Sequence, residues 1–177
     1  MVVCETERLR LRRLSADDAA FALELLSDPD YIRNIADRGV RTREDAERYI
    51  LSGPVASYEQ YGCGLYRVEL KESGLPIGTC GLLRRDYHPD IELGYAFLPA
   101  GRGRGYVVEA AAAALKMAPP SRLNRVVAVT TVDNQPSIKV LERLGFRFER
   151  MVYLMGHTGP RRFFVRDTPP EAHDAGG

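Results

Sequence analysis

The segment from Asp90 to Ala110 constrains the fold of this 177-residue chain more than any other stretch. Its first half alternates apolar with other side chains, a pattern typical of a β-strand, with apolar positions at Ile91, Leu93, Tyr95 and Phe97. Pro99 ends the strand, and glycines then occupy every second position, at Gly101, Gly103 and Gly105. The alanine-rich run that follows predicts a helix. The segment therefore predicts a strand that leads through a glycine turn into a helix.

The glycine turn has the chemistry of an anion site. The first amide groups of a helix have no partner within it, and the helix dipole places partial positive charge at that end. Glycines let the backbone approach a ligand closely, and Arg102 and Arg104 add cationic donors. The glycine spacing fits neither the dinucleotide-binding pattern nor the P-loop. The turn therefore predicts binding of phosphate or pyrophosphate, with a plain strand-to-helix turn as the alternative.

Composition narrows the classes of protein. The formal net charge is +1, which predicts no preference for nucleic acid or membrane. Three widely spaced cysteines without a C-x-x-C pair predict neither a disulfide framework nor a metal site. The chain shows no run of signal-peptide or membrane-spanning type, so a cytoplasmic protein is expected. Arginines near the start alternate with leucines and predict the solvated face of a strand, with the arginines at Arg8, Arg10, Arg12 and Arg13.

Along the whole chain the predicted order of elements is β-α-α-β-β-β-α-β-α-β-β. Residues 62–70 and 77–83 predict an antiparallel hairpin, and residues 84–89 a polar loop that carries His88 on the surface. Strands over 91–97 and 125–132, joined by the helix between them, predict a parallel pair. The fold class is therefore α/β (α+β), with a mixed sheet and helices on both faces. One domain is expected over 1–167, followed by a disordered tail over 168–177.

Three ordered stretches together resemble one known family. The run I-E-L-G-Y followed by G-R-G-Y-x-x-E-A is similar to the coenzyme A motif of the GNAT acetyltransferases, most of all to their RimJ/RimL-type branch. The opening T-E-R-L-R-L-R-R-L-S-A-D-D resembles the start of that branch, and N-x-x-S-x-x-V-L-E-R-L-G-F, from Asn134 to Phe146, resembles its late helix. The chain departs from the family at Ala100, where a Gln or Arg is usual, and at Arg102, where a Trp is frequent.

This resemblance implies acetyl-CoA as cosubstrate and transfer of its acetyl group to a primary amine. By resemblance the pantetheine arm would lie along Phe97, Leu98 and Pro99. The pyrophosphate would be held by Gly101, Arg102, Gly103, Arg104, Gly105 and Tyr106. Asn134 would be a further contact of the pantetheine, and Ser137 would bind or protonate the sulfur of CoA. The alternatives for the last two are an ordinary helix N-cap and a polar residue of the first helical turn.

Two catalytic functions have candidates on the central strand. Glu92 is the candidate general base, because it shares its strand face with the small residues Gly94 and Ala96. An exposed strand carboxylate, with deprotonation by water, is the alternative. A backbone amide of Phe97 or Leu98 is the candidate oxyanion donor, if the parallel strands splay apart there. An ordinary ladder hydrogen bond is its alternative.

The acceptor is less constrained than the cosubstrate. An α-amine has a pKa of about 8 and a lysine amine one of about 10.4, and the gap is worth roughly 3.4 kcal/mol of deprotonation. With a single candidate base, the α-amine of a protein N-terminus or of a small molecule is favoured. The alternatives are another acyl donor, whose acidic group Arg33 or Arg85 could contact, and an acyl-CoA sensor without turnover. The protein is expected to be a monomer or homodimer.

Overall fold

An eight-stranded mixed sheet organises the described residues, 1–118 and 124–167, of the computed structural model. Its spatial order is β1-β2-β3-β4-β5-β6-β8-β7. The strands are β1 Val2–Glu5, β2 Leu9–Arg13, β3 Leu65–Leu70, β4 Pro76–Arg85, β5 His88–Phe97, β6 Arg125–Thr131, β7 Arg147–Val152 and β8 Arg161–Asp167. The predicted α/β fold class with a mixed sheet is confirmed. The tail predicted over 168–177 lies outside the described residues.

Six helices connect or cover these strands in the described part of the chain: α1 Ala19–Ser27, α2 Pro29–Asn34, α3 Arg43–Ile50, α4 Ala56–Tyr61, α5 Tyr106–Met117 and α6 Gln135–Arg143. Capping fixes several of their starts. Thr42 and Asp45 exchange side chain-to-backbone hydrogen bonds of 3.1 and 3.0 Å at the start of α3. Asp28 accepts from the amides of Asp30 and Tyr31, so α2 begins just after α1 has ended.

Strands β5 and β6 are the parallel neighbours that the sequence predicts. They pair only at Ile91 with Val126 and at Glu92 with Val127. By contrast, β5 pairs with β4 from His88 to Phe97, along its whole length. The two parallel strands therefore separate beyond Glu92, and a gap opens between them.

Two apolar clusters fix the helices on the sheet. The larger one joins strand residues such as Leu11, Val68 and Phe97 to alanines of α5 and to Leu141 of α6. The second joins α1, α2 and α3, with Ala96 packed against it. Since neighbouring residues of a strand point to opposite faces, Phe97 and Ala96 assign the two clusters to opposite faces of the sheet.

Three segments differ from the sequence-based expectation. Strand β1 was not predicted; it forms a hairpin with β2. Residues 51–61 are helical, although Gly53 and Pro54 resemble a helix break, because a π-turn over Leu51–Val55 absorbs the proline before α4. The polar loop predicted over 84–89 is wrong. Strands β4 and β5 extend into it and leave a turn of two residues, Asp86 and Tyr87.

Arg12 of β2 is not on a solvated face either. Arg12 and Arg67 both bind Asp18 at 2.6 Å, and both also bind Glu69. Asp18 is only 3% exposed. This network ties β2 and β3 to the turn that precedes α1.

Candidate active site

A cavity of about 610 Å³ lies where β5 and β6 separate. Its lining includes side chains from both faces of β5, so the cavity extends through the gap in the sheet. Residues at the start of α6 line it as well. Of the residues predicted for the site, the structure brings Glu92, Phe97, Arg102, Asn134 and Ser137 to this cavity.

The glycine turn stands between the cavity and α5. Gly103 and Gly105 have φ of 74° and 77°, a conformation that L-residues other than glycine rarely adopt. Gly105 is the N-cap of α5 and offers no side chain to the first amides of the helix. The amides of Tyr106 and the next residues therefore remain free to donate to an anion.

The prediction that Gly101 and Arg102 bind the pyrophosphate fails at their backbone amides, which already have hydrogen-bond partners. Their amides donate to the carbonyls of Leu98 and Pro99. A Cβ at Gly101 would lie 2.8 Å from the Phe97 ring and 2.9 Å from the carbonyl of Ile77, so this glycine permits close packing. Gly101 is therefore a packing residue.

The side chain of Arg102 also differs from its prediction. Its guanidinium donates to the carbonyl of Phe97 at 2.9 Å and forms ion pairs with Asp28 and Asp30 at 2.7 and 2.8 Å. A guanidinium with these three partners joins the turn to α2. It is not the cationic donor that the sequence predicts for the pyrophosphate.

A different arginine, Arg8, lies beside the turn. It donates to the carbonyl of Arg104 at 3.0 Å and stacks on the ring of Tyr106 at 4.5 Å. Glu109 holds it through a 2.7 Å hydrogen bond. Its side chain keeps 43% of its surface exposed, and the side chain of Arg104 is exposed as well. Sequence reasoning missed Arg8 because only the fold brings β2 to the start of α5.

Backbone direction decides between the two candidate oxyanion donors. The amide of Leu98 donates to the carbonyl of Ile77 at 2.9 Å, so the prediction for Leu98 is wrong. Amides alternate in direction along a strand, so those of Tyr95 and Phe97 point away from β4 and into the gap. Phe97 therefore remains a candidate, and Tyr95 joins it.

The three residues predicted to line the pantetheine do not all face the cavity. Phe97 lines the cavity. The side chain of Leu98 is buried in the second apolar cluster, and Pro99 is exposed in the turn that follows. Of these three residues, Phe97 alone faces the cavity.

Glu92 is buried against three donors. Its carboxylate accepts from Arg85 at 3.4 Å, from His88 Nε2 at 3.1 Å and from the hydroxyl of Tyr87. Glu92 is 7% exposed, so the alternative of an exposed strand carboxylate is excluded. The prediction that His88 lies on the surface is also wrong, since its side chain is only 7% exposed. Strand β5 begins at His88 and brings it to Glu92.

These donors set the charge of Glu92. Burial alone would raise its pKa, but the hydrogen bond from His88, the charge of Arg85 and the hydroxyl of Tyr87 outweigh burial and lower the pKa below its ordinary value. Glu92 is therefore an ionised carboxylate at neutral pH. The three donors fix the orientation of the carboxylate, which a fully solvated position would not do.

The start of α6 presents two polar side chains to the cavity. Asn134 caps the helix, with its Oδ1 accepting from the amide of Ser137 at 3.3 Å, and its side-chain NH2 group is still able to donate. The Oγ of Ser137 lies 2.6 Å from the hydroxyl of Tyr95. Burial raises the pKa of Tyr95, which keeps this phenol protonated. The pair can therefore deliver a proton to an atom in the gap, and Tyr95 is the partner that the sequence did not indicate.

Two further features are absent from the described residues. No group of three or more His, Cys, Asp or Glu side chains there could hold a metal ion. Within the same residues, no helix has the length and apolar character needed to cross a membrane.

Comparison with known proteins gives a consistent result. Residues 8–147 match the family described as acetyltransferase (GNAT) domain. The uncharacterized N-acetyltransferase p20 of Bacillus licheniformis is 30% identical over 149 residues, which cover 83% of each chain.

Solved structures have the same fold. One from Bordetella pertussis, described as a GnaT-family acetyltransferase, is 30% identical with a TM-score of 0.73 and covers 93% of this chain and 98% of its own. RimL, a ribosomal α-N-protein acetyltransferase solved in complex with coenzyme A, is 17% identical with a TM-score of 0.78 and covers 94% of this chain and 98% of its own. At 17% identity the likeness to RimL concerns the fold alone.

Proposed function

This chain belongs to the GNAT acetyltransferase family, which makes it an N-acetyltransferase, and we propose that it moves the acetyl group of acetyl-CoA to the α-amine of its acceptor. The observation that carries this proposal is the separation of β5 and β6 beyond Glu92. The gap leads from the free amides at the start of α5 to the hydroxyl pair of Tyr95 and Ser137. An extended thioester ligand fits such a path.

In this proposal the glycine turn binds the pyrophosphate of CoA. In this arrangement the amides from Gly103 to Tyr106 donate to phosphate oxygens, and the exposed cations Arg8 and Arg104 add charge beside them. The pantetheine then enters the gap beside Phe97, where unpaired strand amides and the side-chain amide of Asn134 can bind it.

The reaction itself needs no group beyond those that line the gap. The neutral amine attacks the carbonyl carbon of the thioester, and the amide of Tyr95 or Phe97 stabilises the oxyanion. The carbon–sulfur bond breaks, and Ser137, hydrogen-bonded to Tyr95, donates a proton or hydrogen bond to the departing sulfur. The amine proton leaves toward Glu92.

Glu92 acts through water in this proposal. Tyr95 lies three positions along the strand from Glu92, a distance of roughly 10 Å, and Phe97 lies five positions along it. Its carboxylate already accepts three hydrogen bonds. A chain of water molecules between Glu92 and the amine transfers the proton over this distance, while the fixed negative charge stabilises the ammonium ion that forms.

Release of free CoA thiol from acetyl-CoA, measured with a panel of amines, tests this function. We expect thiol release with α-amines and slower release with lysine-type amines at neutral pH. Mass spectrometry of the product identifies the acetylated nitrogen. Tight binding of acetyl-CoA without release for any amine would contradict the proposal and favour a sensor. Release only with a larger acyl-CoA would identify a different donor.

A further inference from the structure

Positive charge predominates along the cavity. Its charged lining consists of five arginines and three carboxylates, namely Arg33, Arg38, Arg84, Arg85 and Arg102 with Asp30, Glu92 and Asp133. Asp30 is shared between Arg102 and Arg33, and Glu92 binds Arg85. Among residues 1–118 and 124–167, no carboxylate forms an ion pair with Arg38 or Arg84. Asp133 also has no ion-pair partner among the described residues, so the lining keeps a small excess of positive charge.

A buried arginine behind the wall increases this excess. Arg161 is 7% exposed, and within the described part of the chain its hydrogen bonds go to neutral groups, the carbonyl of Asn34 at 3.0 Å and Nδ1 of His157 at 3.2 Å. Its Nε is buried without a hydrogen-bond partner. A buried guanidinium without a carboxylate is costly to a protein unless something else compensates it.

The charges of these arginines act together on His157. It is half-buried in the loop before β8. Its pKa is lowered first by burial and then by the charges of Arg161, Arg38 and Arg85. All three arginines therefore act on the region around His157: Arg161 contacts it, and Arg38 and Arg85 line the cavity. Glu92 is the carboxylate that the described residues bring into contact with Arg85.

We propose that this region binds the carboxylate of the acceptor, and that the acceptor is a free α-amino acid. Arg38 and Arg85 contact its carboxylate from the cavity wall, and Arg161 stabilises the bound anion from behind. The proposal rests on the acetyl transfer proposed above and specifies its substrate class. It separates a free amino acid from a protein N-terminus, in which the α-carboxylate is an amide.

The position of the arginines assigns the anion to the acceptor and not to the acyl donor. Arg85 contacts Glu92 directly, and in the proposed reaction the proton of the amine leaves toward Glu92 through water. The anion next to Arg85 therefore belongs to the molecule that carries the amine. The CoA arm enters from the opposite end, beside Phe97 and the glycine turn.

Charge also predicts which amines are excluded. An ammonium ion alone would be repelled by the excess of arginine, whereas an amino acid brings a carboxylate and has no net charge. A polyamine such as spermidine would add only positive charge. The same field lowers the pKa of the bound ammonium ion and so favours the neutral amine that the reaction needs.

A binding experiment tests the inference independently of turnover. The complex of the protein with CoA is titrated calorimetrically with the twenty amino acids, with the α-amide of each one that binds, and with spermidine. We expect an amino acid to bind at least about tenfold more tightly than its amide, as one charge-assisted hydrogen bond would give. Arg38→Gln should reduce this preference severalfold without changing CoA affinity, because Arg85 and Arg161 remain. Arg143→Gln, an exposed change on α6 outside the cavity, should preserve it.

The other outcomes would each overturn the inference. These are amides that bind as tightly as acids, binding of no amino acid at all, or equal losses for acid and amide in Arg38→Gln. A preference for succinyl-CoA over acetyl-CoA that Arg38→Gln erases would assign the anion site to the donor. Thiol release is measured in parallel. Amino acids that bind through Arg38 without any release would refute the acetyl transfer and leave the carboxylate site standing.

Discussion

Glu92 combines two properties that are usually separate. It is buried, which by itself would make a carboxyl group a better base, yet His88, Arg85 and Tyr87 stabilise its ionised form so strongly that its pKa falls. Such a carboxylate is a weak base with a permanent charge. It is suited to stabilising a developing ammonium ion through water more than to holding the proton itself.

This description predicts the pH dependence of Glu92→Gln. We expect kcat to fall by roughly 10²–10⁴ at neutral pH, and the deficit to shrink as the pH approaches the pKa of the amine, because free amine then needs less assistance. A pH–rate profile with one accepted amine measures both effects. Because the pKa of Glu92 is lowered, the acid limb of the wild-type profile should follow the amine and not this carboxylate. Wild-type kcat in Glu92→Gln across pH 6–9 would place the base elsewhere.

Variants of Ser137 and Tyr95 test which groups donate to the departing sulfur. Ser137→Ala should lower kcat with little change in acetyl-CoA affinity, because the hydroxyl acts on charge that develops at sulfur. Tyr95→Phe should give a loss of the same kind, since it removes the 2.6 Å partner of the serine. Steady-state kinetics and CoA titration on folded variants measure the two effects separately. A loss confined to CoA affinity would make Ser137 a binding residue.

At this scale the sequence predicted backbone features better than side-chain partners. Alternation along β5 indicated which residues share a face with Glu92. It could not reveal that Arg102 is bound by Asp28 and Asp30, which lie more than seventy positions earlier. His88 looked like a loop residue because Pro89 follows it, and only the register of β4 with β5 shows that it is buried beside Glu92. Contacts between distant residues leave no local pattern.

At the scale of elements, the turn before α5 is the part of the site with the clearest backbone requirement. Gly103 and Gly105 hold positive φ, and a Cβ at Gly103 would meet no atom within 4 Å. A side chain there therefore adds backbone strain without an internal clash. Its main effect should be on a ligand that approaches the turn.

Gly103→Val and Gly105→Val should weaken CoA binding by roughly tenfold or more, about 1.4 kcal/mol of lost backbone contact. Each should also cost about 1–2 kcal/mol of stability from positive φ. Gly159→Val is a matched control, because Gly159 has φ of 76° and open space but lies in the turn before β8. It should lose stability and keep CoA affinity. Calorimetric titration with CoA measures the affinity of each variant. Equal CoA affinity in all three variants would mean that the turn has only a structural role.

The ion-pair network of β2 and β3 predicts a pH effect on folding. Burial alone would raise the pKa of Asp18, but hydrogen bonds from Arg12, the amide of Ser15 and Arg67 lower it below its ordinary value. A lowered pKa stabilises the fold above the unfolded-state pKa of about 4, and this stability is lost as the pH falls through the folded-state value.

Asp18→Asn should therefore lower the free energy of unfolding at pH 7 by about 3 kcal/mol, the lower end for a broken buried pair, since both arginines keep some contact with solvent. The difference from wild type should shrink below pH 4. Asp37→Asn, which breaks an exposed pair with Arg41, is the control and should change little. Urea unfolding at several pH values measures both, and a pH-independent deficit in Asp18→Asn would contradict the argument.

Element types were predictable where the pattern was strong. The strand, turn and helix around Gly103 follow local rules and were found as predicted. The helix over 51–61 was missed because a proline inside a helix normally breaks it, and the π-turn that accommodates Pro54 has no sequence signature. Strand β1 was missed because its pairing with β2, not its own short sequence, defines it.

At the scale of the whole molecule, the sheet consists of two parts. Strands β1 to β5 form one antiparallel part and β6, β8 and β7 the other, and two register pairs join them. Cosubstrate bound in the gap would contact both parts at once.

Acetyl-CoA should therefore stabilise the protein against heat. At a concentration of about 100 times its Kd the gain is roughly 2.7 kcal/mol. For a domain of this size that corresponds to a rise in Tm of about 5–11 °C. Thermal denaturation with and without acetyl-CoA measures it, and Gly103→Val should show a smaller rise at the same concentration. An unchanged Tm at saturating acetyl-CoA would contradict binding in the gap.

The narrow junction between β5 and β6 also predicts that the concentration of a bridging ligand affects the lifetime of the protein. Degradation by proteases follows the population of opened molecules when opening and closing are fast. A sheet whose two parts are joined by so few strand contacts opens there more easily than across β4 and β5, and a ligand that bridges both parts reduces the opened population in proportion to its concentration. Cells rich in acetyl-CoA would then keep more of this protein than starved cells at the same rate of synthesis.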